Sequence, residues 1–177
     1  STAAKVNQAM IHYYFGNKQR LYQWVVAAEF QAVIRAIAAR VDQTRPAEEI
    51  LLELPLGILR ELERDPVRRD LLRRVIGGGA RNIQGVFDEM GLSGPPGIRA
   101  LVRPLVREAQ AQGRVPAMAP DALLQFLLSV AYGTLFLDPF FALVTGRDPD
   151  DPAFRRRRRR AFRTLLRRGL LLKEVDG

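Results

Sequence analysis

Four side chains near the start of the chain, Gln8, Ala9, His12 and Tyr13, could read nucleic acid. The spacing predicts a short helix from Asn7 to Phe15 with Asn7 as its N-cap. Ile11 and Phe15, four residues apart, form its buried edge with Tyr14 beside them. Gln8, Ala9, His12 and Tyr13 then face outward. Glutamine can pair bidentately with adenine, an alanine methyl can touch the thymine methyl, and imidazole or phenol can bond phosphate oxygens. Gly16 suits the stop of this helix and Asn17 the cap of the next. Lys18 and Arg20 open that second helix with no acid nearby, the wrong sign for a helix N-terminus unless an anion docks on its free N–H groups.

Other chemistries are excluded by composition. His12 is the single histidine and there is no cysteine. No imidazole pair, thiolate or disulfide can form, so a metal centre or nucleophilic triad is not expected. The expectation is a protein that is not an enzyme, holds no cofactor or metal, and works in the cytoplasm. Ser1 to Lys5 shows no signal-peptide pattern. Ala122 to Leu137 is the most apolar run, closed by Asp138-Pro139 and short of the ~20 residues of a membrane span. It reads as a core or interface helix, with no membrane partner. The net charge of +9 has one source, because Arg155 to Arg168 contains nine arginines and no acid. The remaining basic residues equal the 19 acidic ones, so the rest of the chain is neutral on balance.

Between its Gly and Pro breaks nearly every segment has helical periodicity, and no alternating run reads as a strand. Helices are predicted over Lys18 to Arg40, Pro46 to Glu63 with a kink at Pro55, and Asp65-Pro66 up to the Gly77-Gly78-Gly79 break. More follow over Ala80 to Met90, Ile98 to Gln112, Asp121 to about Asp138 with a further turn or two to Thr145, and Asp151-Pro152 to Gly169. The fold class is all-α.

The stretch Val6 to Tyr22 resembles the recognition helix and following turn of bacterial TetR-family transcription regulators. Val6, Asn7, Ile11, Phe15, Lys18 and Leu21 meet the family pattern or substitute closely. Lys5, His12 and Tyr14 depart from it, at the usual turn glycine, tyrosine and histidine. The resemblance implies the remnant of a helix-turn-helix headpiece over residues 1–22, followed by a helical-bundle ligand-binding and dimerisation domain over 23–177. Two further helices would precede the motif, so this polypeptide alone would bind operator DNA poorly. The DNA contacts would come from Asn7, Gln8, Ala9, His12, Tyr13 and Lys18. The implied activity is that of a repressor released by a small apolar effector.

Inward faces of the middle helices suggest an effector pocket from Phe30, Ile34, Leu59, Leu62, Phe87, Leu105, Phe126 and Tyr132, with Arg81 as a polar contact. For any single one of these, core packing is the better reading. The last two long helices would form a homodimer interface through Phe136, Arg158, Phe162 and Leu165. Along the final helix Arg156, Arg159 and Arg160 point away, whereas Arg158 falls within the apolar face and needs a carboxylate. Asp138, Asp148, Asp150 and Asp151 are the candidates. A second reading makes the chain a helical interaction protein whose Arg155–Arg168 helix holds nucleic acid or acidic partners without sequence preference.

Overall fold

A computed structural model of the chain describes residues 13–40, 42, 44–89, 91 and 97–172. Seven helices follow one another: α1 (Lys18–Ala38), α2 (Ala47–Arg64), α3 (Pro66–Gly77), α4 (Ala80–Glu89), α5 (Gly97–Ala111), α6 (Pro120–Thr145) and α7 (Pro152–Leu170). There is no strand among the described residues, so the protein is all-α. Helix ends fall where the local chemistry puts them. Asp65 caps α3 by accepting from the Arg68 amide at 2.9 Å, with Pro66 in the first turn. Asp151 caps α7 the same way through Ala153 and Phe154, both at 3.0 Å. Gly113 and Gly146 take φ of +65° and +64° just beyond α5 and α6, a conformation that costs other residues energy.

Helix α2 is the central element and packs against α1, α3, α5, α6 and α7. Its leucines at 51, 52, 56, 59 and 62 are at most 1% exposed. Each such burial contributes about 1.5–3 kcal/mol. The core has two parts. One gathers Val26, Phe30 and Val33 of α1, Leu59 and Leu62 of α2, Leu72 and Val75 of α3, Val86 of α4, and Ala131 and Leu135 of α6. The other joins Leu51, Leu52 and Leu56 of α2 to Val102 and Val106 of α5, Leu123 and Leu127 of α6, and Leu166 and Leu170 of α7. Phe162 packs against both.

The helix expected to about Asp138, with a further turn or two to Thr145, is one unbroken element: α6 runs 26 residues through Pro139 and ends at Thr145. An internal proline removes one hydrogen bond and crowds the carbonyl four residues earlier. Here the last turns are anchored beyond it: Phe141 stacks on Phe154 of α7 at 5.3 Å, and the Gly146 amide donates to Ala142 at 2.9 Å. Helices α2 and α5 likewise pass through Pro55 and Pro104.

An ionic girdle ties the helices together. Arg68 of α3 bonds Glu29 of α1 at 2.5 Å. Arg69 grips Asp150, in the turn between α6 and α7, through both guanidinium nitrogens at 2.5 and 3.1 Å, and Arg155 of α7 holds the same carboxylate. The Arg69 hydrogen bonds hold the Asp150 carboxyl below its ordinary value of 3.8. A folded-state value below the unfolded one adds stability above pH 3.8, lost as pH falls through the folded value. Asp150→Asn should therefore lower the melting temperature at neutral pH, and the gap from wild type should close as acidification carries the pH below 3.8 and through the folded value. Melting curves across that range check it.

Candidate nucleic-acid end and association face

The described part of the candidate DNA-reading helix is its last turn, residues 13–15. Asn7, Gln8, Ala9 and His12 lie outside the described residues. Tyr13 is 83% exposed, with Tyr14 edge-on to it at 5.1 Å. Tyr14 does not pack beside the buried edge as expected; it is exposed, and Phe15 packs against Trp24 at 5.7 Å, while Ile11 lies outside the described residues. One residue along a helix rotates the side chain by ~100°, which takes Tyr14 off that contact. Gly16 has φ +74° and Asn17 Oδ1 accepts from the Arg20 amide at 2.9 Å, so the turn and cap form as the sequence predicts. Lys18 and Arg20 are exposed, and the first turn of α1 contains no acid.

The effector candidates are divided by the fold. Phe30, Leu59 and Leu62 belong to one core cluster, with Tyr132 against it and Phe87 at 6.0 Å from Phe30. Leu59 and Leu62 are fully buried and act as packing. Ile34 is half-buried, and Leu105 packs against the other cluster. Phe126, expected inward, is 49% exposed. The buried stripe of α6 is Leu123, Leu127, Ala131, Leu135 and Asp138, and Phe126 lies off it. The Arg81 side chain lies outside the described residues. Of these candidates, Tyr132 lines an open groove of about 450 Å³ between α3 and α6, with Ile76, Leu124 and Leu128. Burial pushes its phenol up to about 12.

The outer side of α6 is apolar. Phe126, Phe136, Leu137, Phe140, Leu143 and Val144 are all at least 36% exposed, and no side chain among the described residues comes within 4 Å of where a Gly133 Cβ would be. The helix is long and apolar enough to cross a membrane, with mean hydropathy 1.7 over its most apolar window and 22% of that window buried. That corrects the expectation that the run is too short, which stopped it at Asp138-Pro139. Phe136 leans on Gly77 of α3, Phe162 is half-buried between the core clusters, and Leu165 on α7 is 67% exposed.

Arg158 is buried within its own chain. It donates to Asp138 of α6 at 2.5 Å and to Glu63 of α2 at 2.9 Å, and its guanidinium lies 5.4 Å from the Phe154 ring centre. Asp138 is one of the four carboxylates weighed for it from sequence; Glu63 is not among them. Arg159 also binds Glu63, so it does not point away as expected. Both arginines reach Glu63 because it ends α2, where α7 crosses. Desolvation pushes the Asp138 carboxyl up, and Arg158 pulls it back. No group of three or more metal-binding side chains occurs among the described residues. No family model and no curated protein matches the chain.

Proposed function

We propose that the intact protein is a transcription regulator resembling the TetR family, a cytoplasmic repressor that works as a homodimer and leaves its operator when a small apolar effector binds. The observation that carries this reading is the Asn7–Leu21 motif together with its exposed, acid-free end at Tyr13, Lys18 and Arg20. Phosphate at the first turn of α1 would meet free backbone N–H groups and two cations. Helix α1 continues without a break from that end into the core at Val26, Phe30 and Val33. A shift in the core would thus swing the reading helix. Paired half-sites lie ~34 Å apart or a multiple of it, so a small rotation of one subunit loses one contact. The effector need only bind the two states with different affinity.

The competing reading, non-specific binding through Arg155–Arg168, is weakened by the ion pairs. Arg155, Arg158, Arg159, Arg163 and Arg167 are each held by an in-chain carboxylate. The two readings separate in one experiment. The protein made from its whole gene is titrated with DNA from beside that gene, at two salt concentrations. Sequence-dependent affinity that falls by roughly tenfold or more in Gln8→Ala is the expected result, since a bidentate base contact is worth ~1–3 kcal/mol. Uniform affinity, indifferent to Gln8→Ala and lost when Arg156, Arg160 and Arg168 are neutralised, would overturn it.

A further inference from the structure

A second hollow lies away from both the reading end and the apolar face of α6. It encloses about 270 Å³, and its walls come from the end of α1, the connection to α2, α2 itself and α7. Ile50, Glu53, Gly57 and Arg60 line it from α2. Their three- and four-residue spacing puts them on one helical face. Gly57 occupies the middle of that face, where any longer side chain would intrude on the hollow. Ile37 and Ile50 give it an apolar portion.

Four guanidinium groups border this space: Arg40 and Arg45 from the connection between α1 and α2, Arg60 from α2 and Arg163 from α7. Two are oriented from behind, Arg45 by Glu49 at 2.9 Å and Arg40 by Glu61. Arg163 reaches Glu53 at 2.9 Å. Arg60 is different. Its nearest carboxylate, again Glu53, is 3.8 Å away, beyond hydrogen-bond reach, and Arg60 donates no hydrogen bond among the described residues. A planar fork of five donors, half withdrawn from water and with its one carboxylate at ion-pair distance only, can still take an oxyanion. Within the lining the four arginines meet two acids, Asp42 and Glu53, while Glu49 and Glu61 stand against Arg45 and Arg40. The N–H donors of Arg60 are the ones left for an incoming oxyanion.

We infer that this hollow binds a small organic phosphate monoester, its phosphoryl oxygens on Arg60 and the neighbouring arginines and its organic body against Ile37 and Ile50. A phosphoryl group has several acceptor oxygens and the bidentate edge that arginine recognises. The inference stands apart from the repressor reading, and neither depends on the other.

Isothermal titration of the whole chain at low salt tests it, with phenyl phosphate, inorganic phosphate and benzoate as ligands. Phenyl phosphate should saturate one site per chain, more tightly than inorganic phosphate because of the isoleucines and more tightly than monoanionic benzoate. Arg60→Gln should weaken it by about tenfold or more, the loss expected for a charge-assisted hydrogen-bonded pair. Arg156→Gln removes the same charge from an exposed position on α7 and should leave affinity unchanged. Arg163→Gln serves as the second variant if Arg60→Gln melts early. Absence of saturable phenyl phosphate binding overturns the proposal. So does an equal loss in Arg156→Gln, which would reduce the effect to net charge, or benzoate binding as tightly as the dianion.

Discussion

Replacing Arg158 with methionine should destabilise the fold by roughly 3–5 kcal/mol at neutral pH, the range for removing one partner of a buried ion pair. The size of the loss comes from what is left behind. Arg158 and Asp138 side chains are each 7% exposed, and Glu63 is 4% exposed. Glu63 would keep Arg159. Asp138 would keep no hydrogen bond among the described residues, only the longer-range attraction of Arg69. Its carboxyl is already pushed up by burial with Arg158 opposing the shift, and losing Arg158 drives it further up. The sign of the pH dependence follows. A carboxyl whose folded value exceeds its unfolded one adds stability at low pH and withdraws it as pH rises through the folded value. Arg158→Met should therefore recover stability relative to wild type as pH falls from neutral through the raised Asp138 value, before the loss tied to Asp150 sets in below its ordinary value. The double variant Arg158→Met, Asp138→Leu should regain most of the loss at every pH, because an apolar pair of similar volume replaces a buried ion pair at little cost. Urea unfolding of the three proteins at two pH values checks all of this. Equal stability of the single and double variants at neutral pH would show that the pair contributes nothing through its charge.

This network also shows how far the sequence can be read. Arg158 is identifiable from the helical angle it shares with Phe154 and Phe162, since periodicity alone places a charge within an apolar face. Asp138 is reachable too, as an acid inside an apolar helix. Glu63 is not, because it is far from Arg158 in the chain and belongs to an ordinary charged helix end. Only the crossing of α7 over the end of α2 makes it a partner. Helix boundaries were legible for a related reason: Asn17, Asp65, Asp151, Gly113 and Gly146 act on their own neighbours within a few residues. Pro139 is the point where local logic is weakest. It suggests an interruption before the last turns, whereas the helix is continuous there and Phe141 stacks on Phe154 of a later helix. The groups that border the hollow between α1, α2 and α7 were invisible as a set, since Arg40, Arg45, Arg60 and Arg163 have no common spacing. The candidate effector residues fail in the other direction. Their apolar type is legible, but a helix's apolar residues say little about which of them surround a cavity and which, like Leu59 and Leu62, fill a core.

The outer face of α6 leads to the second large effect. Under the dimer reading, Phe140→Asp should convert the protein from dimer to monomer, raising the dissociation constant by more than about a hundredfold. Phe140 is 62% exposed in the single chain, and it is flanked on the same face by Leu137 and Val144 and by the open position at Gly133. In a symmetric pair each substitution counts twice, so two phenyl groups lose burial worth ~1.5–3 kcal/mol apiece and two carboxylates are placed in an apolar seam. A four-helix arrangement of α6 and α7 with their symmetry mates would cover this face, and Gly133 would let the partner backbone approach closely. The same helix is long and apolar enough for a bilayer, so the measurement must separate the two environments. Asp138 gives a reason to expect water: it lies on the opposite, buried side of α6 in an ion pair that also engages Glu63 of α2, so α6 is bonded along its length to a body of charged helices. Sedimentation of wild type and Phe140→Asp without detergent decides it. A wild-type dimer and a folded monomeric variant are the expected pair of results. A wild-type protein that stays soluble only in detergent, or a variant whose mass is unchanged, would remove α6 as the dimer face. Because Phe140 belongs to neither core cluster, the variant's thermal unfolding should change mainly through loss of its dependence on protein concentration.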